Sequence, residues 1–584
     1  MNASAVRLKL GLACAVGLTA CVGVSAQAPL EPAQMPARTS FYVLWRGAPA
    51  ADARRANSLL SLWDDPDLAP VRAAMFENFR GNSEKDSAKP KLSRAEAEEY
   101  STLLENPFVL GYIRQAEQKR AAKPPSGKTA DPWNGVFFVY DRRGKEALLT
   151  KAVLRLRSQE KELPRLSQVT IAGIPVLKVE RKDQVTYWAE YDKYALSASE
   201  PGVFEEILTR LEGKSAGAAS LAQTPAYQEA QPFVGTGLLE FFVRVPQLRD
   251  FAPDADNAPF KVTPFLDALK LENIHCFAGH LTLEGAKARV QGAILGNAAP
   301  GTVFDLWSGG LQSPASLALV PSETISYSEA QINLAAFYDV LKHAIQASLA
   351  PSQRGGADMI EALAATRIGM PLPDALNLLN GEFASIQTSA SMDPQKAVYF
   401  LGIRNKAETL KLLRTVMSDR LGAERNEGDV TFLKVSLSGS EGSTGLAQWN
   451  FYHLAVTPEF ILGASRSETL REFLARRASA GAAWSQMPAA FQTARAQFPK
   501  ALNGMGFMNF QKVDWPALKA RWIEQAGKVS SKTSANATAA NKADSKVPDW
   551  LINLNPEVFP RHLHFLAGAS WKDAQGIHFD EWLE

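Results

Sequence analysis

Few residues in this chain of 584 are equipped for chemistry, and most of them stand in the wrong setting for it. His562-Leu563-His564 would place two imidazoles on one face of a strand, half of a tetrahedral zinc site. No third ligand stands at a metal-binding spacing, and neither H-E-x-x-H nor C-x-x-C occurs. Gly213-Lys214-Ser215-Ala216-Gly217 has the G-x-S-x-G spacing of a nucleophile elbow. An elbow needs a strand before it and a helix after it, so that the serine is strained and exposed. Here the motif follows the helical pattern "FEEILTRLEG" and runs into small residues, and it lacks the upstream glycine of a P-loop. Asp64, Asp65 and Asp67 in "LWDDPDLAP" lack the remaining ligands of a calcium loop, and Asp-Asp-Pro reads as a helix stop or cap. Gly235-Thr236-Gly237 and Gly504-Met505-Gly506 precede strand-like runs, which argues against dinucleotide binding and for a bulge or a crowded backbone. Cys276, between His275 and His280, falls in an alternating run and reads as a buried strand cysteine. The sequence therefore assigns no catalytic residue, no cofactor-binding residue and no metal ligand, and it implies no cofactor.

The elements around these residues are mixed. Strand patterns cover Val136–Tyr140, Gln168–Glu180, Val185–Tyr191, Tyr194–Ala198, Gly235–Val245, Ile274–Glu284 and Ala286–Leu295, rich in β-branched and aromatic residues. Helical spacing of apolar residues covers Asp52–Trp63, Lys145–Glu160 and Val203–Leu211. "LEGAKARV" and "WKDAQGIHF" read as hairpin turns.

These patterns recur in order. "GVFFVYDRRGKEALL" matches "AVYFLGIRNKAETLKLL", and "IPVLKVE" matches "VTFLKVSL" with Lys178 opposite Lys434. "KYALSASEPGVFEEILTRL" matches "EFILGASRSETLREFLARR", "GTGLLEFFVRV" matches "GMGFMNFQKVDW", and "HCFAGHLTLEGAKARV" matches "HFLAGASWKDAQGIHF". Upstream, "RTSFYVLW" and "LLENPFVLGYI" find counterparts in "ETISYSEA" and "LLNGEFASIQT". The spacing between partners varies from about 256 to about 289 residues, and the jumps coincide with hydrophilic insertions, as a duplicated fold predicts. The expected fold class is α+β: two pseudo-repeated modules, each a mainly antiparallel sheet with helices packed on one face. The repeats are expected at residues 39–297 and 320–584, joined by a Gly/Ala/Pro-rich linker at 298–319, with a mobile loop at 527–546.

The amino terminus gives an address. Arg7 and Lys9 precede an apolar run from Leu10 to Val24 that is short for a membrane span, the pattern of a secretory signal peptide. Two cleavage signals overlap. Val24-Ser25-Ala26 would end the leader at residue 26; Leu18-Thr19-Ala20-Cys21 resembles a lipobox, which would remove residues 1–20 and acylate Cys21. Either leaves a tether reaching to residue 38 and a protein in the periplasm or associated with the outer membrane. The chain has 63 basic and 61 acidic residues, and loss of Arg7 and Lys9 makes the balance even, so no global field draws in nucleic acid. A membrane surface is reached only through the lipid anchor. Cys276 alone remains after processing if Cys21 is removed, so no disulfide framework exists.

"NSLLSLWDDPDLAPVRAAM", and "MPLPDALNLLNGEFAS" leading into "VYFLGIRNKAETLKLLRTVM", together with the export signal, resemble a family of uncharacterised exported bacterial proteins carrying a domain of unknown function. The resemblance implies an envelope location and a duplicated α+β fold, and it carries over no catalytic residue. The expectation is a non-enzymatic envelope scaffold or binding protein, whose partner is an envelope protein or a hydrophobic ligand. Two alternatives stand beside it: a carrier or sensor holding a hydrophobic ligand between the halves, and a hydrolase whose site is dispersed in sequence.

Overall fold

"TSFYVLW" is apolar at nearly every position, and such a strand has to be covered on both faces. It is. Tyr42 and Leu44 join Phe204 and Ile207 of helix Pro201–Leu211 in one core, while Val43 and Trp45 pack with Leu59 of helix Ser58–Asp64 in another. Helices therefore lie on both faces of this strand, where the sequence pattern predicted one.

The computed structural model describes residues 30–79, 94–113, 135–158, 164–180, 185–215, 217–246, 261–299, 301–307, 310, 314–418, 420–435, 453–477, 489–535 and 547–584. The segment expected to direct export, with Cys21, lies outside them. The first ten strands are β1 (Thr39–Trp45), β2 (Phe108–Ile113), β3 (Val136–Asp141), β4 (Arg165–Ile171), β5 (Ile174–Glu180), β6 (Val185–Tyr191), β7 (Tyr194–Ala198), β8 (Leu239–Arg244), β9 (Ile274–Glu284) and β10 (Lys287–Gly296). The last ten are β11 (Ser326–Gln331), β12 (Leu379–Gln387), β13 (Ala397–Ile403), β14 (Leu421–Glu427), β15 (Val430–Val435), β16 (His453–Val456), β17 (Phe460–Ala464), β18 (Gly504–Asn509), β19 (Phe565–Lys572) and β20 (Gly576–Leu583).

All twenty join one antiparallel sheet, so the fold is mixed α+β with a large antiparallel sheet. Its order is 4-5-6-7-3-2-1-8-9-10, then 20-19-18-11-12-13-17-16-15-14. The two flanks meet where β10 pairs with β20, from Ala288 opposite Leu583 to Leu295 opposite Gly576. Within the region expected as a linker, Phe304 and Ser316 are fully buried.

Residues directly opposite on neighbouring strands share a face. One such row runs Leu44, Glu240, His280, Gln291, Asp580, Ala569, Met505, Glu329 across eight strands. Its middle is polar and separates the two largest cores, one in each flank. Asp580, buried, takes a two-pronged bond from Arg289 (Nε to Oδ1 2.9 Å, Nη2 to Oδ2 2.6 Å) and a third from Gln291 Nε2 at 3.2 Å. On the opposite face the rings of Phe241, Phe277 and Phe579 cross the seam. Gly279 makes room for them, since a Cβ there would lie 2.5 Å from Phe241 Cζ.

Local differences from the sequence reading have physical causes. The run expected as one strand, Gln168–Glu180, is the hairpin β4–β5, turning at Ala172 and Gly173, both at positive φ. Asp52–Trp63 is two helices, Ala51–Ala56 and Ser58–Asp64, broken at Asn57, whose side chain accepts from Leu60 N–H and donates to Gly285 and Lys287 carbonyls. Residues 30–38 of the expected tether are anchored, with Leu30 and Met35 fully buried in the first core. Helix Trp515–Ala535 runs into the segment expected as a loop from residue 527, and 536–546 lie outside the described residues. Gly235 and Gly237 precede β8 while Gly504 and Gly506 lie inside β18, so the two glycine pairs are not equivalent in the ladders.

Asp580→Ala should cost about 1–3 kcal/mol, because it removes the buried carboxylate that accepts three bonds from Arg289 and Gln291 in the middle of the sheet. Urea unfolding of wild type and variant measures this; a loss below about 0.5 kcal/mol would show that the seam does not depend on the pair.

Candidate functional site

Two of the motifs set aside as structural in the sequence are brought together by the fold. Helix Ser58–Asp64 belongs to the β1–β2 connection, and helix Val558–His562 to the β18–β19 connection, yet the two pack on each other. Ser61 Oγ lies 2.9 Å from His562 Nδ1, and His562 Nε2 lies 2.9 Å from Asp65 Oδ2. Arg561 Nη1 stands 3.3 Å from the same carboxylate oxygen, and Arg561 also pairs with Asp67, which accepts from Asn555 Nδ2 at 2.8 Å. Burial works against the Asp65 carboxylate, but the His562 bond, the Asp67 N–H and the Arg561 charge hold its pKa below the usual value.

The residue types are those of a serine hydrolase, and the arrangement differs from one. Ser61 sits inside a helix rather than on a strained turn, and its hydroxyl also reaches the Ser58 carbonyl at 3.1 Å. A serine has one proton to give. Ser61 can give that proton either to the Ser58 carbonyl or to His562 Nδ1, so it is the helical setting of the serine that separates this cluster from a triad. A shallow cleft lies elsewhere, lined by Glu31 and Tyr227. What this cluster can do is hold: a helix-capping carboxylate tied by an imidazole and a guanidinium from the other end of the chain. Below it Trp63 and Leu68 share a buried core with Trp515, Leu551 and Val558.

His564 does not join His562. It is exposed ahead of β19, and among the described residues no group of three His, Cys, Asp or Glu side chains could hold a metal ion. Cys276 is fully buried, its Sγ donating to Ala226 O at 3.3 Å, and burial pushes its thiol up to about 12. Gly213 ends the helix Pro201–Leu211, so the G-x-S-x-G spacing has no strand before it.

A second cluster escaped the sequence entirely. Glu329 on β11 and Glu382 on β12 are both buried on one face. Glu382 accepts from the backbone N–H groups of Ser316 (2.8 Å) and Ala315 (3.2 Å), while Glu329 accepts from Tyr327 OH at 3.3 Å. Burial pushes Glu329 up to about 8, the neighbouring Glu382 charge adds to the rise, and the Tyr327 hydroxyl opposes it. At neutral pH one carboxyl of the pair therefore keeps its proton. An alternating strand with one glutamate gives no warning of this, because the second acid arrives from another strand.

In a double-mutant cycle, Asp65→Ala and His562→Ala should each cost about 1–3 kcal/mol, with a coupling of about 1 kcal/mol; additive losses in urea unfolding would dissolve the cluster as a unit. For Glu329 the folded pKa lies above the unfolded one, so stability is full below the unfolded value near pH 4 and falls as pH rises towards about 8. Glu329→Gln should flatten that fall by several kcal/mol in unfolding measured from pH 5 to pH 8, and an unchanged slope would contradict the assignment. The chain matches no family model, no curated relative and no solved structure, so its function is argued from this geometry.

Proposed function

We propose that this is an exported, non-enzymatic envelope protein, a duplicated α+β scaffold that binds a partner protein in the periplasm. The observation that carries the proposal is the internal use of the reactive side chains: the Ser61–His562–Asp65 cluster fastens one end of the chain to the other. Export rests on Arg7, Lys9 and the apolar run that follows them. Among the described residues no helix is long and apolar enough to cross a membrane.

Duplication is supported by register as well as by strand order. The block that aligns His275 with His564 makes Gly568 the counterpart of Gly279 and Glu581 the counterpart of Gly292. Gly279 faces Gly292, and Gly568 faces Glu581. Lys178 faces Tyr187, which faces Ala198; Lys434 faces His453, which faces Ala464. The connections are exchanged reciprocally. The first half's β1–β2 helices pack on the second half's β18–β19 helices, and helix Leu334–Ser348 of the β11–β12 connection packs on helix Val262–Ala268 of the β8–β9 connection. Mutual exchange of the same segments is the pattern of a twofold homodimer, here fused into one chain.

The hydrolase alternative would rest on Ser61, whose geometry argues against it. A carrier holding a ligand between the halves draws no support from the cleft, which lies within the first half. Cross-linking in intact cells followed by recovery of the tagged protein should capture a defined envelope partner, and a fluorophosphonate probe should leave Ser61 unlabelled. Labelling that disappears in Ser61→Ala would overturn the non-enzymatic reading. Cys21→Ser should move the protein from membranes to the soluble periplasm where the lipobox is used, whereas unchanged fractionation puts the cleavage at Ala26.

A further inference from the structure

We propose that the helix Pro351–Ile368 of the β11–β12 connection docks an amphipathic helix of the partner protein, an assignment that rests on reading the chain as a duplicated scaffold. On an ordinary surface helix the apolar side chains face inward. Here Gly355, Met359, Ala362, Leu363 and Thr366 fall on one stripe at helical spacing, with no charged residue among them, and all are exposed. Met359 and Leu363, at 60% and 62%, are the most exposed large apolar side chains among the described residues. Ala364, Ala365 and Ile368 on the opposite side are half-buried, so the helix is apolar on both sides and covered on one. Such a helix belongs between two layers. The stripe also adjoins the interface between the halves. Gln346 Nε2 donates to Asp358 Oδ1 at 2.8 Å and Lys342 Nζ pairs with Glu361 Oε2 at 2.6 Å. These bonds tie the helix to Leu334–Ser348, which packs on Val262–Ala268 of the first half.

The other half shows what covers such a helix. Ala69–Phe79 holds the corresponding place in the β1–β2 connection, and its Val71 and Met75 have the same four-residue spacing as Met359 and Leu363. They pack into the core of Trp63, Trp515 and Leu551, with Leu518 and Trp522 beside them. Trp515, Leu518 and Trp522 come from the helix Trp515–Ala535, and Leu551 from Asp549–Asn553, both within residues 510–564 between β18 and β19. Residues 245–273 between β8 and β9 are far fewer, and those described form no counterpart of Trp515–Ala535. The place that a helix with two tryptophans fills in one half is therefore open in the other. Small residues at 355, 362 and 366 leave room for bulky side chains, and a Cβ on Gly355 would meet nothing within 4 Å. Asp358 borders the stripe on one edge and Arg367 on the other, so the fitting helix carries a cation along one flank and a carboxylate along the other. Its anchors are aromatic and aliphatic side chains at i, i+3 and i+7, the spacing of Trp515, Leu518 and Trp522.

The test uses the full-length protein and, as probe, a fluorescein-labelled peptide of residues 514–528, read by fluorescence anisotropy. The peptide should bind saturably, and a scrambled peptide of the same composition should not, a comparison that needs no variant to fold. Leu363→Glu should weaken binding by about tenfold or more with an unchanged melting temperature. Leu166→Glu, a change of another exposed leucine, on β4, should leave it unaltered. Absence of saturable binding, equal binding of the scrambled peptide, or binding indifferent to Leu363→Glu, as exchange with the chain's own helix would give, would overturn the proposal. So would a dimer of the wild type that Leu363→Glu dissolves, since the occupant would then be a second copy of this chain. None of these outcomes bears on the scaffold reading, which is tested by partner capture.

Discussion

The structure depends on one pairing, β10 against β20, and on the buried Asp580 in its middle. Sheet edges left open invite other strands, and this pairing removes one edge from each half at a single stroke. Backbone hydrogen bonds alone would allow the two ladders to slip. The grip of Arg289 and Gln291 on Asp580 fixes the register by two kinds of donor from the facing strand. With that register set, the Phe241–Phe277–Phe579 rings meet on the other face, over backbone that glycine keeps low.

Polar residues at the seam divide the interior into two cores, and each half then solves the same problem differently. In the β1–β8 pair a buried acid stands on β8, as Glu240 opposite Leu44. In the β11–β18 pair it stands on β11, as Glu329 opposite Met505. The first acid is balanced by Arg46, and the second by keeping its proton next to Tyr327. Neutralisation by a proton makes the second half sensitive to pH.

Much of the secondary structure was legible because its signals are local. Period-two alternation located β3, β6, β7 and β9 to within a residue or two, and helical spacing located Pro201–Leu211. The β4–β5 hairpin was hidden by Ala172, a non-glycine residue at φ 49°, since sequence expects glycine or asparagine there. The packing of residues 30–38 was hidden by their Ala/Pro-rich composition, in which Leu30 and Met35 are the only large apolar residues before Phe41. The candidate site was not legible at all. "LWDDPDLAP" and His562 were each weighed and each read as structural, which holds for either alone. Their meeting is a property of the exchanged helices, and no spacing rule spans that distance.

The central claim is that the two halves form one cooperative body through β10 and β20. Native-state hydrogen exchange of the full chain tests it most directly. The account predicts that amides of Val290–Ala293 and Ile577–Glu581 are among the slowest, exchanging only with global unfolding. Exchange of those amides through a smaller opening, while the flanking ladders of both halves stay protected, would contradict it.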